Sequence, residues 1–354
     1  MIDTFAANLE ARLRSGVLEG LKHREMEDWN LISDGRKLVG KRLEDRVVAV
    51  HKQTGLRVVL SGAFLRRIEM SFPRLVPLCP ERQCRSEADM SLRWDNLFTI
   101  LETLGPNMRQ RQFTFTRIDL ALTLNRNPRR VLSLHRNARH RRIRRETECY
   151  YNDRPGVARK GKVPYHMDAL NTVVFNGSYM RISLYDKVFE VCKSLTEVPD
   201  FPTGLRVEVE LKQAKRIAAI FGKPAGLSVS LGDLSLAKCY NVFRDILGQF
   251  EIPQGNRPAK LDLSSCLAIL ERHPECWDDL GAMRPLDAYR LFNGVGDEQF
   301  RRMRRDVSAV EFWLDDFQWS KVLPVDRLPE MVDIGKGGIP LATPSNPVEI
   351  FRNP

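Results

Sequence analysis

Three segments of the chain alternate apolar and polar residues with the period of two that half-buried strands have. Residues 205–212 alternate most strictly, with apolar residues at every odd position. Arg206, Glu208, Glu210 and Lys212 occupy the even positions. This pattern predicts a strand with one face in the core and one charged face.

Residues 113–124 and 180–186 repeat this pattern. In the first, Arg117 and Asp119 lie opposite an apolar side. In the second, the polar side and its continuation comprise Arg181, Ser183, Tyr185 and Lys187. Placed side by side in one sheet, the three strands would bring a phenol, carboxylates and cations onto one open face. Converging carboxylates suit a hard cation such as Mg²⁺ or Mn²⁺. Each strand taken alone is more typical of an ordinary solvated sheet face than of a site.

Other patterns predict further elements. A hairpin is predicted around Gly55, and Pro128 is a suitable first residue for a helix. The remaining predictions are helices at 63–72, 91–104, 188–195, 233–250, 264–273, 285–293 and 297–313, and a hairpin over 172–186.

These elements predict an α+β fold. An antiparallel sheet backed by helices would form a catalytic domain over residues 1–222. A mostly helical C-terminal domain with a possible DNA-binding role would cover 223–334, followed by a flexible glycine- and proline-rich tail at 335–354.

Positive charge is concentrated in one part of the chain. The formal net charge is +11, and residues 126–145 hold nine arginines and no acid. Such a run suits phosphate contact, although a solvated loop is also compatible with it. A second cationic group lies in 285–313, which resembles a helix-turn-helix. The candidate DNA contacts are Arg117, Arg139, Arg141, Arg142, Arg144, Arg145, Arg181, Arg206, Arg301 and Arg304.

The sequence lacks the features of several classes of protein. The seven cysteines have no zinc-site spacing and suit reduced thiols in a cytoplasm. No apolar run reaches the length of a membrane span, so no membrane partner is expected. The chain has no phosphate-binding loop for a nucleotide and no His-hydrophobic-His metal motif, so carboxylates would have to hold a metal.

Four motifs together resemble a known family. They are Met-Ile-Asp at 1–3, Thr-Arg-Ile-Asp at 116–119, Leu-Tyr-Asp-Lys-Val-Phe-Glu at 184–190 and Leu-Arg-Val-Glu-Val-Glu-Leu-Lys at 205–212. In this order they resemble the gene II/X type replication initiators of filamentous phages, which are related to rolling-circle plasmid initiators. Residues 58–75 and 299–312 show weaker similarity, and the Gly-His-Asn element of that family is absent.

The resemblance implies a site-specific DNA nicking-joining enzyme. Tyr185 would attack a backbone phosphorus at the replication origin, with Lys187 assisting. The enzyme would keep the 5′ phosphate, free a 3′ hydroxyl primer and later rejoin the displaced strand. Asp119, Glu208 and Glu210 would hold Mg²⁺ or Mn²⁺, although the family tolerates other residues at the position of Glu210. The implied partners are duplex and single-stranded origin DNA and the replicative helicase and polymerase of a bacterial host, in whose cytoplasm the protein would act.

Three alternatives stay open at this point. Tyr150 or Tyr151, which follow the arginine run, could replace Tyr185 as nucleophile. The protein could instead be a non-catalytic origin-binding initiator or repressor. It could also be a metal-dependent nuclease that uses water, which would leave no protein on the DNA.

Overall fold

The computed structural model describes residues 1–39, 42–76, 83–126, 128–135, 138–143, 147–151, 170–187, 190, 204–252 and 317–332. The helices predicted over 188–195 and between 264 and 313, and the tail at 335–354, lie outside these residues, apart from residue 190. The helical C-terminal domain and its boundary at 222 therefore stay predictions.

The described residues form a ten-stranded antiparallel sheet and a separate two-stranded ribbon. The twelve described strands are β1 Ile2–Arg12, β2 Trp29–Val39, β3 Arg42–His51, β4 Arg57–Ser61, β5 Phe64–Ser71, β6 Thr114–Leu124, β7 Arg139–His140, β8 Thr147–Tyr151, β9 Leu170–Asn176, β10 Met180–Asp186, β11 Leu205–Lys212 and β12 Phe250–Glu251. In the large sheet, the strand order is β2-β3-β4-β5-β1-β6-β11-β10-β9-β8. The ribbon pairs β7 with β12.

Within the described residues, few helices accompany the sheet. They are α1 Val17–Lys22, α2 Glu87–Glu102, α3 Pro128–His135, α4 Ala214–Ile220, α5 Leu236–Leu247 and α6 Trp319–Val322. The predicted α+β class with an antiparallel sheet is confirmed. No helix among the described residues is long and apolar enough to cross a membrane.

One hydrophobic core joins the sheet to these helices. The odd-numbered residues of β11 are fully buried, as the alternation predicts, and pack with the apolar sides of β6 and β10. Helix α4 contacts β6 and β11, α3 contacts β9 and β10, and α5 contacts β6. Phe243 of α5 and Trp319 of α6 belong to the same core as Phe5 of β1. Burying one face of the central strands leaves their charged face on the other side.

The register of the central strands decides which polar residues become neighbours. Glu210 of β11 lies opposite Asp119 of β6, and Arg206 lies opposite Thr123. On the other side of β11, Arg206 lies opposite Tyr185 of β10. Directly opposed residues in an antiparallel pair point to the same face, so these side chains share one surface.

The predicted helix at 63–72 is wrong, because this segment forms β5. Leu65 and Ile68 are both buried although they are three residues apart. The register between β4 and β5 shifts between Val59 and Leu60. Such an irregularity interrupts the alternation and leaves the three-residue spacing that a helix would also have.

Two parts of the sheet were not expected. The sequence analysis predicted neither β1 nor β2, and β1 lies at the centre of the sheet between β5 and β6. The segment with Tyr150 and Tyr151 shows no strand alternation in the sequence, yet it forms β8 at the edge of the sheet. β8 is only five residues long and carries a register shift, which explains why no alternation was visible.

The other helices, strands and turns predicted within the described residues are confirmed. Helix α3 begins at Pro128, and Gly55 adopts a φ of 72° in the turn between β3 and β4. The remaining agreements are β6, the β9–β10 hairpin, β11, α2 and α5.

Candidate active site

Tyr185 lies at the end of β10, where its hydroxyl donates a hydrogen bond to Oε1 of Glu208 at 2.7 Å. The side chain is partly buried. Burial raises the pKa of Tyr185 well above its ordinary value, and the negative charge of Glu208 raises it further. The phenol is therefore protonated, and Glu208 is the acceptor already in contact with its proton.

Arg206 is the most deeply buried cation of this face, with 7% of the residue exposed. Its Nε donates to Oε1 of Glu208 at 3.1 Å, its Nη1 to Oγ1 of Thr123 at 3.1 Å and its Nη2 to Oδ1 of Asp3 at 2.5 Å. Burial opposes the charge, but the carboxylates of Asp3 and Glu208 outweigh it and raise the pKa of Arg206. These contacts leave Arg206 little surface for the predicted contact with DNA.

A second group of charges lies beside the first. Arg117 donates from Nε and Nη2 to both oxygens of Asp119, at 2.9 and 2.6 Å, and its Nε lies 3.2 Å from Oε1 of Glu210. Burial raises the pKa of Asp119 to about 7, although the neighbouring Arg117 works against the shift. Lys212 also pairs with Glu210, at 3.3 Å.

The predicted metal ligands are only partly brought together. Within the described part of the chain, no three Asp, Glu, His or Cys side chains lie close enough to share one metal ion. Asp119 and Glu210 do converge, since Nε of Arg117 contacts an oxygen of each. This pair has the donor chemistry that Mg²⁺ or Mn²⁺ prefers. Glu208, the predicted third ligand, already accepts the hydrogen bond of Tyr185.

Lys187 lies at the edge of the site. Its Nζ is 5.9 Å from the centroid of the Tyr185 ring and pairs with Oε2 of Glu190 at 2.6 Å. The cation therefore faces the ring and a carboxylate in this arrangement. Direct stabilisation of a Tyr185 phenolate by Lys187 would require its side chain to move.

Tyr185, Glu208, Asp119, Glu210 and Arg117 line a cleft of about 330 Å³ on the polar face of the sheet. Its charged lining residues are Arg117, Arg181, Asp119, Asp186, Glu190, Glu208 and Glu210. Three of the five acids also pair with cations beside the cleft, Glu208 with Arg206, Glu190 with Lys187 and Glu210 with Lys212, so most of the negative charge is balanced locally.

The predicted arginine contacts lie in several places. Arg181 lines the cleft, whereas Arg139, Arg141 and Arg142 are exposed near the β7–β12 ribbon. Arg141 pairs with Glu251 at 2.9 Å. The candidates Arg144, Arg145, Arg301 and Arg304 lie outside the described residues.

The two rival candidates for the nucleophile, Tyr150 and Tyr151, lie on β8. The backbone of Tyr150 pairs with Thr172, which lies opposite Tyr185 on the next strand. The side chains of Tyr150 and Tyr151 are outside the described set. Among the three tyrosines, only the hydroxyl of Tyr185 therefore has a described partner.

The sequence analysis did not assign Asp3 or Thr123 to the site. Asp3 belongs to the first of the four motifs, so its presence there was a usable signal. Thr123 gave no signal, because it lies between two buried leucines in a largely apolar stretch of β6.

Comparison with known proteins adds no family assignment. No protein-family model matches the chain, and no curated protein matches it either. The resemblance to the phage initiators rests on the four motifs and their order.

Proposed function

We propose that this protein is a DNA nicking-joining enzyme that initiates rolling-circle replication, with Tyr185 as its nucleophile. The observation that carries the proposal is the 2.7 Å hydrogen bond from the Tyr185 hydroxyl to Glu208, inside a cleft that also holds Asp119 and Glu210. The motifs that carry the resemblance to phage initiators contribute all four of these residues.

The reaction is a transesterification. The hydroxyl oxygen of Tyr185 would attack a backbone phosphorus while its proton passes to Glu208. The bond from phosphorus to the 3′ oxygen breaks, and that oxygen takes up a proton to become a 3′ hydroxyl. The 5′ phosphate stays on Tyr185 as a phosphodiester. Because this linkage retains the energy of the cleaved bond, the reverse step rejoins DNA without ATP.

Asp119 and Glu210 are the residues that would hold Mg²⁺ or Mn²⁺, and Nε of Arg117 contacts an oxygen of each. When bound, such an ion stabilises the negative charge that develops on the phosphoryl oxygens. Arg181, at the cleft wall, would contact the phosphate backbone. A host helicase and polymerase would then act at the freed 3′ end.

A search for a covalent adduct tests the proposal. Single-stranded DNA tiled across the replicon that encodes the chain, labelled at its 3′ end, is incubated with the protein and Mn²⁺ or Mg²⁺ and run on a denaturing gel. The wild type is expected to retain label on the protein, and the adduct should map to Tyr185. Tyr185→Phe should bind DNA but form no adduct. Glu208→Gln should slow adduct formation on the order of 100-fold or more, because an amide is a poor proton acceptor.

Tyr179→Phe is the matched control, since Tyr179 lies next to the β9–β10 hairpin turn and stacks against Arg216 instead of lining the cleft. Adduct from Tyr185→Phe at the wild-type level would reject the proposed nucleophile and direct attention to Tyr150 and Tyr151. Cleavage without adduct would indicate a water-using nuclease. Binding without any cleavage would indicate a non-catalytic initiator or repressor.

A further inference from the structure

The guanidinium of Arg206 connects three neighbouring strands through three different nitrogens. Nη2 bonds Asp3 of β1, Nη1 bonds Thr123 of β6, and Nε bonds Glu208 of its own strand β11. Asp3 is 203 residues away from Arg206 in sequence. A guanidinium is planar and rigid, so fixing two of its nitrogens also fixes the direction of the third.

Two donors converge on a single oxygen of Glu208. Oε1 accepts from Nε of Arg206 at 3.1 Å and from the hydroxyl of Tyr185 at 2.7 Å. The position of this oxygen is therefore set from one side by the guanidinium, whose own orientation depends on Asp3 and Thr123. Neither residue lines the cleft that holds Tyr185.

Resting on the proposed nicking function, we propose that Asp3 and Thr123 are positioning residues that act through Arg206 to hold the Glu208 carboxylate on the Tyr185 hydroxyl. A buried ion pair that loses one partner leaves the remaining charge uncompensated. Without Asp3, the guanidinium would turn toward the carboxylate that remains, Glu208. A displacement of about 1 Å between reacting groups costs on the order of 100-fold in rate.

The test measures adduct formation under single-turnover conditions with saturating protein, so that a rate constant and an amplitude are obtained separately. Asp3→Ala is expected to lower the rate constant about 10- to 100-fold, because a displaced Glu208 carboxylate no longer lies in position to accept the proton of Tyr185. Thr123→Val, which keeps the shape of the side chain and removes one hydrogen bond, should lower it about two- to tenfold. Amplitude and DNA affinity should stay near the wild-type values for both.

Arg206→Lys separates orientation from charge. Lysine keeps the positive charge but cannot present three donors in a fixed plane. If orientation is what matters, this variant should lose rate at least as strongly as Asp3→Ala. Glu10→Ala is the matched control, because Glu10 lies on the same strand as Asp3 and pairs with Arg66 of β5 at 2.8 Å. It should keep the wild-type rate constant.

Three results would overturn the inference while the proposed function survives. The first is a wild-type rate constant in both Asp3→Ala and Thr123→Val. The second is an amplitude that falls in proportion to the melting temperature of the variants while the rate constant stays unchanged. This result would indicate a merely structural role. The third is full activity in Arg206→Lys. A wild-type protein that forms no adduct overturns the proposed function and this inference together.

Discussion

The ring of His135 is buried between α3 and the C-terminal segment, and both of its nitrogens are hydrogen-bonded. Nε1 of Trp319 lies 2.9 Å from Nε2, and the carbonyl oxygen of Val131 lies 2.7 Å from Nδ1. An indole N–H can only donate, so Nε2 accepts and Nδ1 carries the proton. Only the neutral form of the ring satisfies both hydrogen bonds. Protonation of Nε2 would set two donors against each other.

A dependence of stability on pH follows from His135. Burial lowers the pKa of His135 from 6.5 to about 4. The folded state thus binds this proton less readily than the unfolded state does. The neutral His135 ring therefore gives its full stabilisation above pH 6.5, and this stabilisation is lost as the pH falls toward 4. The wild type should lose about 3 kcal/mol of unfolding free energy over this range from His135. Urea denaturation at pH 7.5, 6 and 4.5 measures the loss.

His135→Phe should be less stable than the wild type at pH 7.5, because the indole N–H of Trp319 loses its acceptor, but its stability should change less between pH 6.5 and 4.5. His23→Gln serves as the control, since the His23 side chain is 68% exposed. An unchanged pH slope in His135→Phe would contradict the assignment.

At the scale of elements, α2 holds the aromatic part of the core in place. Trp94 of α2 contacts Phe72 and Phe5, with ring centroids 4.7 and 5.3 Å apart. The helix begins after Ser86, whose side chain accepts from the backbone nitrogen of Asp89 at 3.1 Å. A side chain that satisfies one of the free N–H groups at a helix start stabilises the whole element.

Ser86→Ala should therefore lower the free energy of unfolding by about 1 kcal/mol. Ser91→Ala is the matched control, because Ser91 is exposed inside the same helix and alanine has the higher helix propensity. It should be neutral or slightly stabilising. Equal losses in both variants, measured by chemical denaturation, would show that the cap contributes nothing.

At the scale of the whole molecule, the described part of the C-terminal half packs on the sheet. Phe243 of α5 is fully buried in the core that contains Phe5 of β1. The hydroxyl of Tyr240 donates to the carbonyl of Pro324 at 2.8 Å, which ties α5 to the segment after α6. These contacts predict that the sheet and α5 unfold together in one transition.

Phe243→Ala should lower the free energy of unfolding by about 3–5 kcal/mol and should destabilise the central strands as much as α5. Hydrogen exchange of the amides in β6 and α5 measures the stability of both regions in one experiment. Leu227→Ala is the control, because Leu227 is 57% exposed and should cost little. Weakened protection in α5 alone would support a separate folding unit that begins near the predicted boundary at 222.

The strands that carry the site were predictable because their signal is local. Alternation over 205–212 specifies that Val207 and Val209 face the core and that Glu208 and Glu210 face away from it, whatever the rest of the chain does. The same reasoning placed Asp119 and Tyr185 on polar faces. The helix start at Pro128 is likewise a property of a few neighbouring residues.

Tertiary structure decided what those polar residues do. Arg206 and Glu208 occupy equivalent places in the alternation, yet Asp3, brought in by β1, makes Arg206 a buried part of the site. The register of β6 and β10 against β11 joins Glu210 to Asp119 and Glu208 to Tyr185. The sequence thus determines which face of a strand is polar, because that depends on adjacent residues. Pairing between strands distant in sequence depends on the packing of the complete sheet and is settled only when the chain folds.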